Sequence, residues 1–286
     1  MSETILMTRN MVRLPRRERD SHKGDYGRVL IVAGSQGYTG APVFAAQGAL
    51  RSGAGLVFLG VPKEVYPIVA TRCSSEMPFP LPQETERVVE RANQCDVVLV
   101  GPGMGRSAWA QQLILRLVQQ VQRPLVLDAD GLNALEGRTE LLGRRKALTV
   151  LTPHDGEFSR LSGCPLPLER REEQARELAR DTGSIVVLKG YQTFTVDSQG
   201  RGWRNTTGNP GMAKGGSGDI LAGMIASFLG QKQLMGQTSC PGELVAWAVC
   251  CHGAAGDQAA ERLGEYSMLP DDTLQALPHV LRTHTD

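Results

Sequence analysis

Apolar residues in this chain gather in short continuous runs, and stretches of helical periodicity separate the runs. The runs are Arg28 to Gly34, Gly55 to Val61, Asp96 to Gly101, Pro124 to Asp128, Leu148 to Thr152 and Ser184 to Lys189. Each is too short for a buried helix and lacks the apolar–polar alternation of a half-exposed strand, so each predicts a strand buried on both faces. Helical patterns over Ala41 to Ser52, Thr85 to Ala92, Ala108 to Gln120 and Leu168 to Asp181 supply the cover. Strands alternating with helices predict an α/β fold with a central, mostly parallel sheet.

Beyond Gly190 the rhythm changes. Gln192 to Val196 and Arg201 to Asn205 flank Asp197-Ser-Gln-Gly200, which predicts a hairpin and therefore an antiparallel edge. The last third is helical, with segments over Asp219 to Leu229, Glu243 to Arg262 and a short Pro270 to Ala276. Residues 1–21 form a polar, Arg-rich lead-in, and no composition break divides residues 22–286, which are expected to form one domain.

Composition narrows the partners. The net charge of +1 gives no basic field for a nucleic acid or a membrane surface. The six cysteines show no CxxC pair or metal-ligand spacing, as expected of core thiols in a reducing cytoplasm. No run of 18 apolar residues and no leader pattern is present, so the expectation is a soluble cytoplasmic protein.

The candidate chemistry lies where runs end. In an open parallel sheet, ligands bind beyond the carboxyl ends of the strands. Gly34-Ser-Gln-Gly-Tyr-Thr-Gly-Ala41 follows the first run and is either a phosphate cradle or a tight turn. Gly101-Pro-Gly-Met-Gly105 brings backbone close to a bulky group. Asp128-Ala-Asp130-Gly-Leu-Asn133 offers oxygen ligands for Mg²⁺, or else caps and turn formers. Leu151-Thr-Pro-His154-Asp-Gly-Glu157 stiffens the approach to a histidine, and Lys189-Gly190 sets a cation suited to phosphate at a strand end.

The most telling stretch is Asn205 to Gln231. Gly215-Gly216-Ser217-Gly218-Asp219 runs directly into an apolar helical pattern. Such a turn points unpaired N–H groups and the positive end of a helix dipole at an anion. Phosphate repels a carboxylate, so Asp219 at that mouth points to proton abstraction or cation handling. Together the loops predict phosphoryl transfer from a nucleoside polyphosphate.

These motifs carry a resemblance. HKGDYGRVLIVAGSQGYTGAP, ALRSGAGLV, VGPGMG, LDADGLNAL, LTPHDGEFSRL, VVLKG and NPGMAKGGSGDILAG occur in that order from His22 to Gly223, and the match extends to about Gly256. The set resembles the ADP-dependent NAD(P)H-hydrate dehydratases, the repair lyases with a ribokinase-like fold. The resemblance implies a three-layer α/β/α sandwich, a homo-oligomer (often a tetramer), and ADP as co-substrate with Mg²⁺. It implies dehydration of (6S)-NADHX or NADPHX to NADH or NADPH, with AMP and phosphate released. On this carry-over Asp219 is the general base, and the amides of Gly216, Ser217 and Gly218 hold the transferring phosphoryl group. Ala41, Gly103, Gly105, His154 and Asp219 contact the hydrate. Lys189, Gly190, Tyr191, Gln192, Thr193 and Gly218 contact the adenine nucleotide, and no metal ligands are assigned. The chain departs from the pattern at Asp155, where relatives more often have proline, and at Tyr191, which is bulkier than expected beside a nucleotide. Many relatives carry an N-terminal epimerase domain. Some 21 residues precede the first motif here, so the epimerase is expected on a separate protein. A small-molecule kinase of the same superfamily and a non-catalytic nucleotide sensor are the rival readings.

Overall fold

The structure, a computed structural model, describes residues 4–285. Its strands are β1 (Thr4–Met7), β2 (Arg28–Val32), β3 (Leu56–Val61), β4 (Met77–Pro80), β5 (Val97–Val100), β6 (Leu125–Leu127), β7 (Thr149–Leu151), β8 (Ile185–Leu188), β9 (Phe194–Val196) and β10 (Gly202–Asn205). They form one sheet in the order β1-β10-β9-β8-β7-β6-β5-β2-β3-β4. Pairing is parallel from β8 through β4, and β9 runs antiparallel to both β8 and β10. The α/β class, the mostly parallel sheet and the antiparallel hairpin are as the apolar runs predict.

The pleat divides each run between two cores. Val29, Ile31, Val97 and Leu99 face one layer, which contains Ile220, Met224, Phe228 and Trp247. Leu30, Val32, Val98 and Val100 face the other, which contains Leu113, Leu117, Phe158 and Leu178. The continuous hydrophobicity of each strand therefore reflects helices on both sides.

Two strands escape the apolar-run reading. In β1 only Met7 is buried, while Leu6 is 56% exposed, so the segment carries no buried run. It is ordered by tertiary pairing: Thr4 to Met7 lie beside Gly202 to Asn205, and Thr206 donates from N and Oγ1 to the Met7 carbonyl at 3.2 and 2.8 Å. Part of the expected lead-in is thus an edge strand. β4 contains Pro78 and Pro80, which a sheet tolerates only at its edge. The final helix also runs further than its pattern suggests, over Pro270–Thr283, because Pro278 interrupts the periodicity without ending the helix.

The helix Ser217–Gly230 lies in the first layer against Gly40–Arg51, and glycines set their separation. A Cβ on Gly223 would sit 2.0 Å from the Ala45 carbonyl oxygen, and one on Gly48 would sit 2.5 Å from that of Ile220. Gly230 ends beside Gly27, at the start of β2, so the helix runs back along the sheet and its N-terminus reaches the carboxyl ends of the strands.

Gly223→Val is therefore expected to destabilise by ~1–3 kcal/mol or more through overpacking of that contact. Gly143→Ala, whose added atom would lie 3.6 Å from its nearest neighbour, should stay within ~0.5 kcal/mol of the parent. Urea denaturation of the two variants checks the contrast.

Candidate active site

Chain order creates the crevice. From β2 the chain moves outward through β3 and β4, then returns to β5 and proceeds the other way through β6, β7 and β8. The loops after β2 and β5 therefore part at a topological switch point. They are joined across it: Gly34 N–H donates to the Pro102 carbonyl at 2.8 Å, and Ser35 Oγ donates to that of Gly103 at 2.8 Å. Gly103, at φ +61°, has no room for a side chain, since a Cβ there would meet Tyr38 Cβ at 2.8 Å and Ala41 Cβ at 3.0 Å. The structure thus brings Ala41, Gly103 and Gly105 together on one wall.

The acidic loop after β6 takes up its oxygens internally. Asp130 accepts from Gly105 N–H at 2.7 Å and from Asn133 Nδ2 at 3.2 Å, which fixes the GPGMG loop. Asp128 is buried and accepts from Thr152 Oγ1 and Lys189 Nζ, both at 2.7 Å. Both carboxylates of this loop are thus engaged in positioning neighbouring loops. Among the described residues no group of three or more His, Cys, Asp or Glu side chains is placed to hold a metal ion.

His154 opens the helix Asp155–Ser162 as its N-cap, with Nδ1 accepting from Gly156 and Glu157 N–H at 3.0 and 3.3 Å. Its Nε2 faces Glu157 Oε1 at 3.4 Å. Glu157 closes the capping box by accepting from His154 N–H at 2.9 Å. The unexpected Asp155 pairs with Arg171, whose Nη2 donates to the Lys189 carbonyl at 3.0 Å. The departure thus ties the β7 and β8 loops together.

Lys189 does not reach freely toward solvent as a strand-end phosphate cation would. Its ammonium is 2.7 Å from Asp128 Oδ1 and 3.7 Å from Glu157 Oε2. Burial works against its charge, yet Asp128 and then Glu157 outweigh burial and hold its pKa above the usual lysine value. Beyond it, Gly190 at φ +143° and Gln192 at φ +54° make a sharp turn that leaves Tyr191 91% exposed. Thr193 fastens this turn by donating from Oγ1 to the Gly190 carbonyl at 3.0 Å. Gln192 and Ala129 are the non-glycine residues with positive φ among the described residues, and both lie in these loops.

The glycine turn meets this cluster from above. Gly216, in the left-handed region at φ +102°, caps the helix Ser217–Gly230. A Cβ on Gly216 would strike the Phe44 ring at 2.8 Å, and one on Gly218 would lie 3.5 Å from Lys189 Nζ. The first helical bond runs from Ile220 N–H to the Gly216 carbonyl at 3.1 Å, and Ser217 N–H turns back to Lys214 O at 3.3 Å. The N–H groups of Gly216, Gly218 and Asp219 remain for an anion. Asp219 thus stands in the first turn beside Lys189, Asp128 and Glu157. Burial first, and the charge of Asp128 second, push its carboxyl up to about 7 against the opposing pull of Lys189.

Sequence reasoning missed Thr152 and Glu157 as partners in this cluster, and it missed His252. His252 is buried in the helix Pro241–Leu263 with Nε2 unpartnered, and burial pulls its pKa down to about 4, so it is neutral near pH 7. Only its polar character inside an otherwise apolar helical run marked it in the sequence.

Comparison with known proteins follows the same lines. The NAD(P)H-hydrate dehydratase family profile matches residues 29–279. A bifunctional NAD(P)H-hydrate repair enzyme of Moorella thermoacetica is 43% identical over 280 residues, covering 94% of this chain and 52% of the relative. The chain thus spans about half the length of the bifunctional relatives it matches. An ADP-dependent (S)-NAD(P)H-hydrate dehydratase of Enterococcus faecalis is 34% identical, covering 95% of this chain and 90% of the relative. The ADP/ATP-dependent NAD(P)H-hydrate dehydratase of Bacillus subtilis, co-crystallised with ATP/Mg²⁺, superposes with a TM-score of 0.85 at 32% identity, covering 98% and 99% of the two chains. A ribokinase-like superfamily protein of Enterococcus faecalis superposes with a TM-score of 0.84, so the three-layer fold is ribokinase-like.

The Asp219 environment makes a stability prediction. A carboxyl whose ordinary value is 3.8 and whose folded value is about 7 binds its proton more tightly folded than unfolded. Stability should therefore fall as pH rises between those values, and stay lowered above them. Asp219→Asn is expected to flatten that part of the curve and to exceed the parent in stability at pH 8. Denaturant titrations from pH 4 to pH 8 measure it.

Proposed function

The chain belongs to the NAD(P)H-hydrate dehydratase family, and on that premise we propose that it dehydrates (6S)-NADHX or NADPHX to NADH or NADPH at the expense of ADP. One observation supports this above the others: a single helical turn carries both a carboxyl with a raised pKa and outward N–H groups. That is a base and an anion hole within reach of one reacting centre.

The hydrate's hydroxyl attacks the terminal phosphoryl group of ADP while Asp219 takes the hydroxyl proton, and AMP leaves. The N–H groups of Gly216 and Gly218 hold the transferring phosphoryl oxygens, with the buried Lys189 ammonium behind Gly218 adding positive potential. The C–O bond then breaks, the ring nitrogen's lone pair expels phosphate, and loss of a neighbouring ring proton restores the reduced nicotinamide. Because Lys189 is committed to Asp128, its contribution to the nucleotide is that charge and the main chain of Lys189 to Thr193. Ala41, Gly103, Gly105 and His154 form the hydrate side. Mg²⁺ would come with the nucleotide phosphates, as that ion commonly binds. On the same reading the protein is a cytoplasmic homotetramer.

Asp219→Asn is expected to lower turnover ~10²–10⁴-fold with nucleotide binding largely kept. Turnover is followed at the reduced-nicotinamide absorbance with NADHX and ADP, and binding by calorimetry. Unchanged turnover would remove Asp219 from the role, and ATP-dependent phosphorylation of a small alcohol without NADH recovery would favour the kinase rival. Parallel rates with ADP and ATP decide the donor.

The rate should also rise with pH through a limb near 7 as Asp219 loses its proton. Lys189 lowers that value, so Lys189→Met should move the limb to higher pH. A pH–rate profile of folded variant protein checks the direction, and an unmoved limb would separate the base from this ammonium.

A further inference from the structure

A second cleft lies away from the candidate active site, between the helix Thr85–Asn93 and the sheet face of β3 and β4. Its volume of about 760 Å³ falls within the roughly 300–1,000 Å³ of small-ligand sites. Phe58, Phe79 and Pro80 make an apolar floor, and Arg28, Arg87 and Arg91 stand around it. The Arg91 guanidinium lies over both rings, 3.7 Å from the centre of Phe79 and 5.0 Å from that of Phe58. None of the three guanidiniums has a carboxylate within 4.0 Å among the described residues. Glu90 is the one acid in the lining, so the cleft carries a net positive charge.

The edge strand argues against a peptide occupant. Leu81 N–H donates inward to the Val61 carbonyl at 2.8 Å, so residues 78 and 80 turn their nitrogens outward. Both are proline, and the open edge therefore offers no N–H there for an added strand. What remains is an aromatic floor with Arg91 over it and the guanidiniums of Arg28 and Arg87 around it, none of the three paired with a carboxylate. We propose that this cleft binds a small anionic ligand with a flat apolar body, its phosphate or carboxylate held by Arg28 and Arg87 and its ring stacked beside Arg91. The site is independent of the dehydratase reading, because none of its residues belongs to the crevice at the strand ends.

The test uses the whole protein and 1-naphthyl phosphate as probe, titrated calorimetrically in the presence of saturating ADP. Binding is expected for the parent protein, with 1-naphthol and inorganic phosphate each binding more weakly. Arg28→Glu combined with Arg87→Glu should weaken the probe at least about tenfold. Both positions are exposed, so the thermal melt should be unchanged and the loss should reflect charge. Arg87→Lys should retain part of the affinity. Equal affinity in parent and double variant overturns the proposal. So does an absence of parent binding, and dissociation of an oligomer in the double variant would then assign this face to a second copy of the chain.

Discussion

The ammonium of Lys189 is the group around which the crevice is organised. It ends β8, pairs with Asp128 from the end of β6, and approaches Glu157 from the helix that follows β7. Three loops from three strands are thereby fixed to one buried charge. A buried ion pair is a weak source of net stability, because desolvating both charges offsets most of their attraction. Its consequence here is geometric and electrostatic: breaking it strands a charge, so the loops have one low-energy arrangement. The same cluster decides the character of Asp219, whose proton is held by burial and by the neighbouring carboxylates and loosened by the lysine.

A second constraint brings the glycine turn to that charge. The helix behind the turn can reach the strand ends because Gly48 and Gly223 remove side chains from the helix–helix contact. At its far end Gly27 and Gly230 do the same against the sheet. Glycines that read as loop formers thus also act inside helices, setting depth rather than turn shape. Gly216 then combines both uses, adopting a left-handed cap conformation while lying against Phe44.

The fold was largely legible because continuous apolar runs admit few alternatives. β2, β3, β5, β6, β7 and β8 all fall within the runs, and the β9–β10 hairpin follows from the polar turn between its strands. β1 and β4 were not legible, since four-residue edge strands bury little and depend on a neighbour for their pairing. The candidate loops were legible as unusual chemistry at strand ends, but not as a connected cluster. Lys189 read as a free cation because nothing nearby in sequence pairs with it; Asp128 is 61 residues away.

The sequence by itself determined the layered α/β fold, the loops that meet at the strand ends and the family to which the motifs point. Those properties follow from hydrophobic period and local backbone chemistry, which neighbours along the chain are enough to set. Only the tertiary structure decided what the polar side chains do. It made Asp128 the partner of a lysine and His154 a helix cap, and it placed three arginines without carboxylate partners around a separate aromatic cleft. Charge and hydrogen bonding act through space over a few ångströms, and residues from distant parts of the chain supply nearly all of those partners.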